Sequence, residues 1–329
     1  MKATAIANAN IALIKYWGKR DADLMLPNNG SLSMTVDGLH TKTTVEFGDF
    51  EADTLTMNGE SVEGKELDQV IKHLDLVRGM ANINKKAKVA SENSFPTAAG
   101  LASSASGFAA LSVAAAKAAG LDLDEKQLSI LSRRGSGSAS RSVGAGFIEW
   151  LKGEQADGDD SYGKQVATPD HWPAFRMIVA ITATGEKKIK SRAGMSQTIK
   201  TSPMYQGWLD TVPADLDVVR QGIRDKDFTK VGETAERNGL KMHATMITTI
   251  PTILYWNPTT IAIMHAIQDW RDEGLESYFT MDAGPQVKVF CLEKDVPELQ
   301  KRLQEIPGVR ETIIGKPGQA ARLVEEHLF

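Results

Sequence analysis

Apolar and polar positions change period several times along the chain. Ile11 and Leu13 alternate with Ala12 and Ile14 in an extended run near the start, and Thr43, Val45 and Phe47 alternate with polar residues as in a half-buried strand. Leu55 and Met57 lead into Asn58-Gly59, a two-residue hairpin signal. From Lys65 the period becomes helical, with Leu67, Val70, Ile71, Leu74 and Val77 on one face and Gly79 near the stop. Val89 ends a short strand before a Ser/Asn/Pro loop. A long alanine-rich run then reaches Ala119, with Gly120 as its cap, and predicts a buried helix. Asp124 to Arg134 reads as a short helix with Leu128 and Leu131 inward, followed by the apolar stretch Val143 to Trp150. Residues 153–160 are polar and rich in Gly and Asp, the weakest point for ordered structure. Met177 to Thr182 predicts a buried strand, and the chain beyond Ser191 is largely helical. Tyr278 to Met281 and Val287 to Cys291 predict strands flanking the turn Asp282-Ala-Gly-Pro, and a helix spans about Pro297 to Leu303.

At 329 residues and roughly 150 per domain, two domains or one two-lobed domain are expected. No internal repeat or clean linker marks a boundary. With 38 Lys and Arg against 42 Asp and Glu, the net charge of -4 disfavours a nucleic-acid binder but permits local basic pockets. The single Cys291 excludes an internal disulfide and a cysteine zinc cluster; it lies in an apolar strand and reads as packed. The opening residues lack the apolar core of a signal peptide, and no run reaches the roughly 18 apolar residues of a membrane span. A soluble, cytoplasmic protein is expected.

Pro96 to Ser106 holds small residues at the head of a helix. Such a segment lets backbone approach a bulky anion, and the hydroxyls of Ser103, Ser104 and Ser106 suit phosphate oxygens or magnesium; it equally suits the ordinary start of an Ala/Ser helix. No Walker-type loop and no G-x-G-x-x-G fingerprint occurs. In the second small-residue segment, Gly135 to Ser142, Arg141 beside Ser136, Ser138 and Ser140 can grip a carboxylate or phosphate, or can be a surface Arg in a turn. Lys15, Tyr16 and Lys19 follow the first strand, where solvated lysines are the plainer reading. Lys187, Lys188, Lys190 and Arg192 form a basic run, either a solvated face or a cleft edge. Asp282, between a strand and Ala-Gly-Pro, is either a rigidly held general base or a turn-forming Asp. His243, with Leu240 and Met246 on one helical face, reads as structural.

Four segments together resemble the diphosphomevalonate decarboxylase family, most nearly its bacterial members. They are Asn10-Ile-Ala-Leu-Ile-Lys-Tyr-Trp-Gly-Lys, Pro96-Thr-Ala-Ala-Gly-Leu-Ala-Ser-Ser-Ala-Ser, Gly135-Ser-Gly-Ser-Ala-Ser-Arg-Ser and Phe279-Thr-Met-Asp-Ala-Gly-Pro; Asn238-Gly-Leu-Lys-Met-His-Ala-Thr is also similar. The resemblance implies an α+β GHMP-kinase fold: a ribosomal-protein-S5-like nucleotide-binding lobe, placed at residues 1–183, and a ferredoxin-like substrate lobe, placed at 184–329, around a deep cleft. It implies ATP-dependent decarboxylation of (R)-5-diphosphomevalonate to isopentenyl diphosphate, with Mg2+ accompanying ATP, and commonly a homodimer.

By position, the resemblance makes Asp282 the base for the C3 hydroxyl, with Lys187 at the ATP phosphates and Arg141 on the substrate carboxylate beside Asn10. It puts Tyr16, Lys19, Ser136, Ser138, Ser191 and Arg192 at the diphosphate end. Ser91, Pro96, Gly100, Leu101, Ala102, Ser103, Ser104 and Ser106 fall to ATP, Ser104 and Ser106 also to the metal. Lys190 departs mildly from the family, whose members often carry a small residue or Pro there. A tertiary hydroxyl leaves poorly, so phosphorylation at C3 followed by loss of phosphate drives decarboxylation without an electron-sink cofactor. The alternatives are a 5-phosphomevalonate decarboxylase, a mevalonate 3-kinase or other small-molecule kinase of this fold, and a non-catalytic nucleotide-binding protein.

Overall fold

A computed structural model describes residues 1–95, 103–183, 185 and 188–329. The chain opens with β1 (Lys2–Ile14), the short hairpin β2 (Lys19–Asp21) and β3 (Leu26–Pro27), and the long β4 (Ser31–Gly48). The hairpin β5 (Thr54–Met57) and β6 (Glu60–Val62) turns through Asn58 and Gly59, both at positive φ. Next come α1 (Lys65–Ala81), β7 (Lys86–Asn93), α2 (Ser103–Ala118) and α3 (Glu125–Gly135). Asp124 and Gln127 close a capping box on α3, which is why that helix begins where it does. A 3-10 turn (Gly137–Arg141) leads to β8 (Phe147–Trp150), β9 (Gly163–Ala167) and β10 (Phe175–Ile181). Four helices follow, α4 (Ser191–Thr201), α5 (Tyr205–Asp225), α6 (Phe228–Ile247) and α7 (Pro258–Asp272). The chain ends with β11 (Tyr278–Met281), β12 (Val287–Leu292), α8 (Val296–Glu305), β13 (Glu311–Gly315) and β14 (Arg322–Val324).

The first sheet has the order β14-β1-β4-β7-β5-β6, with β8 on the other end of β4 and β9 beyond it. Helix α2 packs on β1 and β4 through a nearly continuous row of buried alanines. The second sheet, β11-β12-β10-β13, is antiparallel. Strand β10, which a division after residue 183 assigns to the first lobe, therefore pairs inside the second sheet, while β14 returns to the first. One apolar core runs from Ile11, Leu13 and Met34 through Phe175, Met177 and Phe290 to Val219, Val231 and Met242. That continuity places the end of β1 against the end of β11.

Several local readings differ from the structure. Strand β7 runs on to Asn93 because its last residues pair with β4 as far as Thr41. Thr44, on the supposedly solvated face of β4, is buried: its hydroxyl meets Thr4 and the Leu328 N–H of the C-terminal tail. The loop at 153–160 is fastened: Asp160 accepts from the Glu154 and Gln155 N–H groups, and the buried Arg133 donates to the Gly158 carbonyl at 2.6 Å.

Candidate active site

Strand β1 ends at Ile14, and the next residue carries the first site group. Lys15 is buried, with its N–H donating to Asn238 Oδ1 (2.8 Å) and its carbonyl accepting from Asn29 (2.8 Å). Its ammonium lies 2.8 Å from Asp282 Oδ1, so the solvated reading of Lys15 is overturned. The other carboxylate oxygen, Oδ2, lies 3.2 Å from Nζ of the fully buried Lys288 on β12. The Asp282 side chain itself stays 28% exposed, enough to meet a ligand. Burial alone raises the Asp282 carboxyl, but Lys15 and Lys288 outweigh it and hold the group well below the usual carboxylate range. Burial lowers Lys15 to about 8, even though Asp282 pulls the other way.

Arg141, at the end of the 3-10 turn, is buried rather than superficial. Its Nε donates to Ser33 Oγ (3.0 Å) and Asn10 Oδ1 (3.2 Å), and Nη1 donates to Ser31 Oγ (2.6 Å). Burial brings it down to about 10, with Asp282 and Tyr16 opposing. Asn10 in turn donates to the Ser138 carbonyl (2.9 Å) and Ser142 Oγ (2.7 Å). Tyr16 packs edge-on against Trp150 at 4.7 Å, and its buried hydroxyl has no partner among the described residues. A buried hydroxyl in that state costs free energy unless a ligand completes it. Gly137 is needed here: a Cβ would stand 2.6 Å from the Trp150 ring and 3.1 Å from the Tyr16 hydroxyl.

The diphosphate-end residues gather around α3 and α4. Arg192 is exposed and donates to the Gly135 carbonyl at 2.7 Å. Lys19 is half-buried and lowered to about 8, by burial first and by Arg192 second. Ser136 Oγ lies 3.4 Å from both Ser138 Oγ and Ser104 Oγ, linking this segment to the head of α2. Ser191 opens α4, whose first turn carries no acidic residue. Ser103 and Ser104 open the described part of α2, whose first turn likewise carries no acid. Ser106 is fully buried, 2.7 Å from Thr41 Oγ1, and Ser91 is bonded to Thr43 Oγ1 at 2.9 Å. Pro96, Gly100, Leu101, Ala102 and Lys187 lie outside the described residues. Lys188 and Lys190 are exposed. Among the described residues no three His, Cys, Asp or Glu side chains converge as metal ligands, and Ser104 is exposed whereas Ser106 is buried.

Sequence reasoning missed Lys288 and Asn238. His243, read as structural, is buried against Trp256 and its Nε2 lies 3.1 Å from the Asp282 carbonyl oxygen. Burial lowers it to about 3. The signal for Lys288 was present: a lysine inside Val-Lys-Val-Phe-Cys sits at a core position, where a charge requires a partner.

The diphosphomevalonate decarboxylase-like N-terminal domain model matches residues 7–163, and the mevalonate 5-diphosphate decarboxylase C-terminal domain model matches 177–320. The chain belongs to the diphosphomevalonate decarboxylase family. Diphosphomevalonate decarboxylase ERG19 of Gibberella zeae is 38% identical, over 94% of this chain and 87% of the relative. Mevalonate diphosphate decarboxylase from Staphylococcus aureus has a similar structure, with TM-score 0.93, 41% identity and 98% of both chains covered. A structure of MDDEF in complex with MVAPP, AMPPCP and magnesium matches with TM-score 0.93, 42% identity and 99% coverage of both chains. These agree with the GHMP-kinase fold expected from the family motifs.

Proposed function

We infer that this chain converts (R)-5-diphosphomevalonate and ATP to isopentenyl diphosphate, ADP, phosphate and carbon dioxide, a step of isoprenoid synthesis by the mevalonate route. The observation that carries this is the Asp282 carboxylate, ionised between two buried ammonium groups and electrostatically coupled to Arg141. We assign Arg141 and Asn10 to the substrate carboxylate, and Tyr16, Lys19, Ser136, Ser138, Ser191 and Arg192 to its diphosphate. ATP phosphates would meet the head of α2 at Ser103 and Ser104, together with Lys187. Mg2+ supplies charge neutralisation of those phosphates, with Ser104 the accessible ligand; Ser106 would first have to leave Thr41.

Asp282 receives or orients the C3 hydroxyl proton as the γ-phosphoryl group moves to that oxygen. Departure of the new phosphate leaves positive charge at C3, the carboxyl carbon leaves as carbon dioxide, and its bonding pair forms the alkene. A carboxylate, two phosphates and ATP in one cleft need the cations Lys15, Lys19, Arg141 and Arg192, although the chain is net acidic. We place the boundary between the lobes between β9 and β10, because β10 pairs with β12 and β13. A homodimer is carried over from the family, and light scattering tests it; a cytoplasmic location follows the reading of the sequence.

The deciding assay follows ADP and carbon dioxide with the 5-diphosphate, the 5-monophosphate and mevalonate. The diphosphate should give equimolar ADP and carbon dioxide at the highest kcat/KM. Preference for the monophosphate, or ADP without carbon dioxide, selects the sibling enzymes. ATP binding without substrate-dependent ADP selects a non-catalytic protein.

A further inference from the structure

Strand β12 reads Val287-Lys-Val-Phe-Cys, and alternation divides it between two cores. Val287, Val289 and Cys291 pack with Ile178, Phe279 and Leu299, while Phe290 joins the larger core. Lys288 occupies the same side as Phe290 and is 0% exposed. Nothing in strand formation favours a lysine there; an ammonium without a partner would cost several kcal/mol. Besides Asp282 Oδ2 at 3.2 Å, its Nζ reaches the Gln286 carbonyl at 3.5 Å. Lys15 approaches the other oxygen from the residue following β1, on another side. The carboxylate thus has an ammonium beside each oxygen, a hydrogen bond from Lys15 at Oδ1 and an ion pair with Lys288 at Oδ2.

We propose that Lys288 is a positioning residue for the transfer step, fixing the plane of the Asp282 carboxylate against Lys15 and keeping it ionised. The inference rests on the role given to Asp282 above. The charged and titratable groups facing Asp282 are Lys15 just after β1, Lys288 from β12, Arg141 from the 3-10 turn, and His243 from α6, which contacts its carbonyl. Three of these favour the carboxylate form, and His243 is neutral near neutral pH. Removing Lys288 therefore moves the Asp282 carboxyl upward, and the acidic limb of the rate profile should move with it.

Lys288→Met keeps length and apolar volume and removes the charge; Lys288→Arg keeps the charge. For Lys288→Met, kcat should fall about tenfold or more while the KM for ATP stays within about twofold, and the acidic limb of kcat should shift up by about one pH unit. Lys288→Arg should return the limb toward its wild-type position. An unshifted limb with kcat within about twofold of wild type would overturn the inference. Infrared difference spectra of the carboxyl stretch, wild type minus folded Asp282→Asn, add a test that does not depend on the Lys288 variants. Asp282 should remain ionised below about pH 4, and protonation at the ordinary value near 4 would also overturn it. Full turnover by Asp282→Asn sinks the role of Asp282 itself, whereas an inactive Asp282→Asn beside an unaffected Lys288→Met sinks this inference alone.

Discussion

Arg141 is bonded to the protein before any ligand arrives, to Ser31, Ser33 and Asn10. Arg141→Lys keeps the charge and loses the planar fork. The KM for the diphosphate substrate should rise about tenfold or more, with a melting point a few degrees lower as both serines lose their donor. Saturation kinetics alongside thermal melts check this, and an unchanged KM would contradict the assignment. Lys19 gives a second test. Its pKa is depressed to about 8, so its charge is lost as pH rises through 8. kcat/KM should decline above that pH, and Lys19→Arg, charged throughout, should weaken the decline; a profile flat beyond about pH 9.5 would count against it. Arg141 and Asp282 were legible in the sequence because each interrupts a run of small or apolar residues. Lys15 was misread because a lysine after a strand is ordinarily solvated, and only the packing of β1 on α6 buries it.

Helix α6 lies behind Lys15 and Asp282. Asn238 fixes the Lys15 backbone, and His243 contacts the Asp282 carbonyl. Between them Gly239 gives room: a Cβ there would lie 2.7 Å from Thr280 Oγ1 and 3.7 Å from Lys15 Cε. Gly239→Ala should therefore push Thr280 on β11 away from α6, costing about 1–3 kcal/mol of stability and lowering kcat severalfold as Asp282 at the end of β11 shifts. Denaturant unfolding and steady-state kinetics measure both, and an unchanged kcat would contradict the supporting role. The helical period revealed α1, and the largely helical reading beyond Ser191 covers α6 itself. It did not reveal what α6 touches, since a 3.6-residue period marks an inward face without naming its neighbour. Strand β4 shows the same limit: alternation marks Thr43 and Val45 as inward, while burial of Thr44 depends on a tail nearly 300 positions away, Leu328 at a separation of 284.

At the scale of the molecule, the two sheets share one core, and buried histidines tie its stability to pH. His243 is lowered to about 3 and His73 to about 4, in both cases chiefly by burial. Between those values and the unfolded value near 6.5, the unfolded chain binds the extra protons, so stability rises with pH across that window and is lost on acidification. Each pH unit across it is worth about 1.4 kcal/mol per histidine. Denaturant melts should weaken from about pH 6.5 downward, and His73→Phe should flatten the slope; equal slopes would remove His73 from the account. The two-lobed fold was legible through family motifs spread along the chain. The assignment of β10 to the second sheet was not, because a buried apolar strand carries no mark of which sheet it joins.

The central claim is that one ionised carboxylate serves the C3 hydroxyl while ATP is consumed. Its most direct test is ADP and carbon dioxide release from diphosphomevalonate by wild type and Asp282→Asn, matched for folding. Wild type should release the two products in equal amounts, and the variant should lose both by about a hundredfold or more. Equimolar release by Asp282→Asn at a rate within a few fold of wild type would contradict the account.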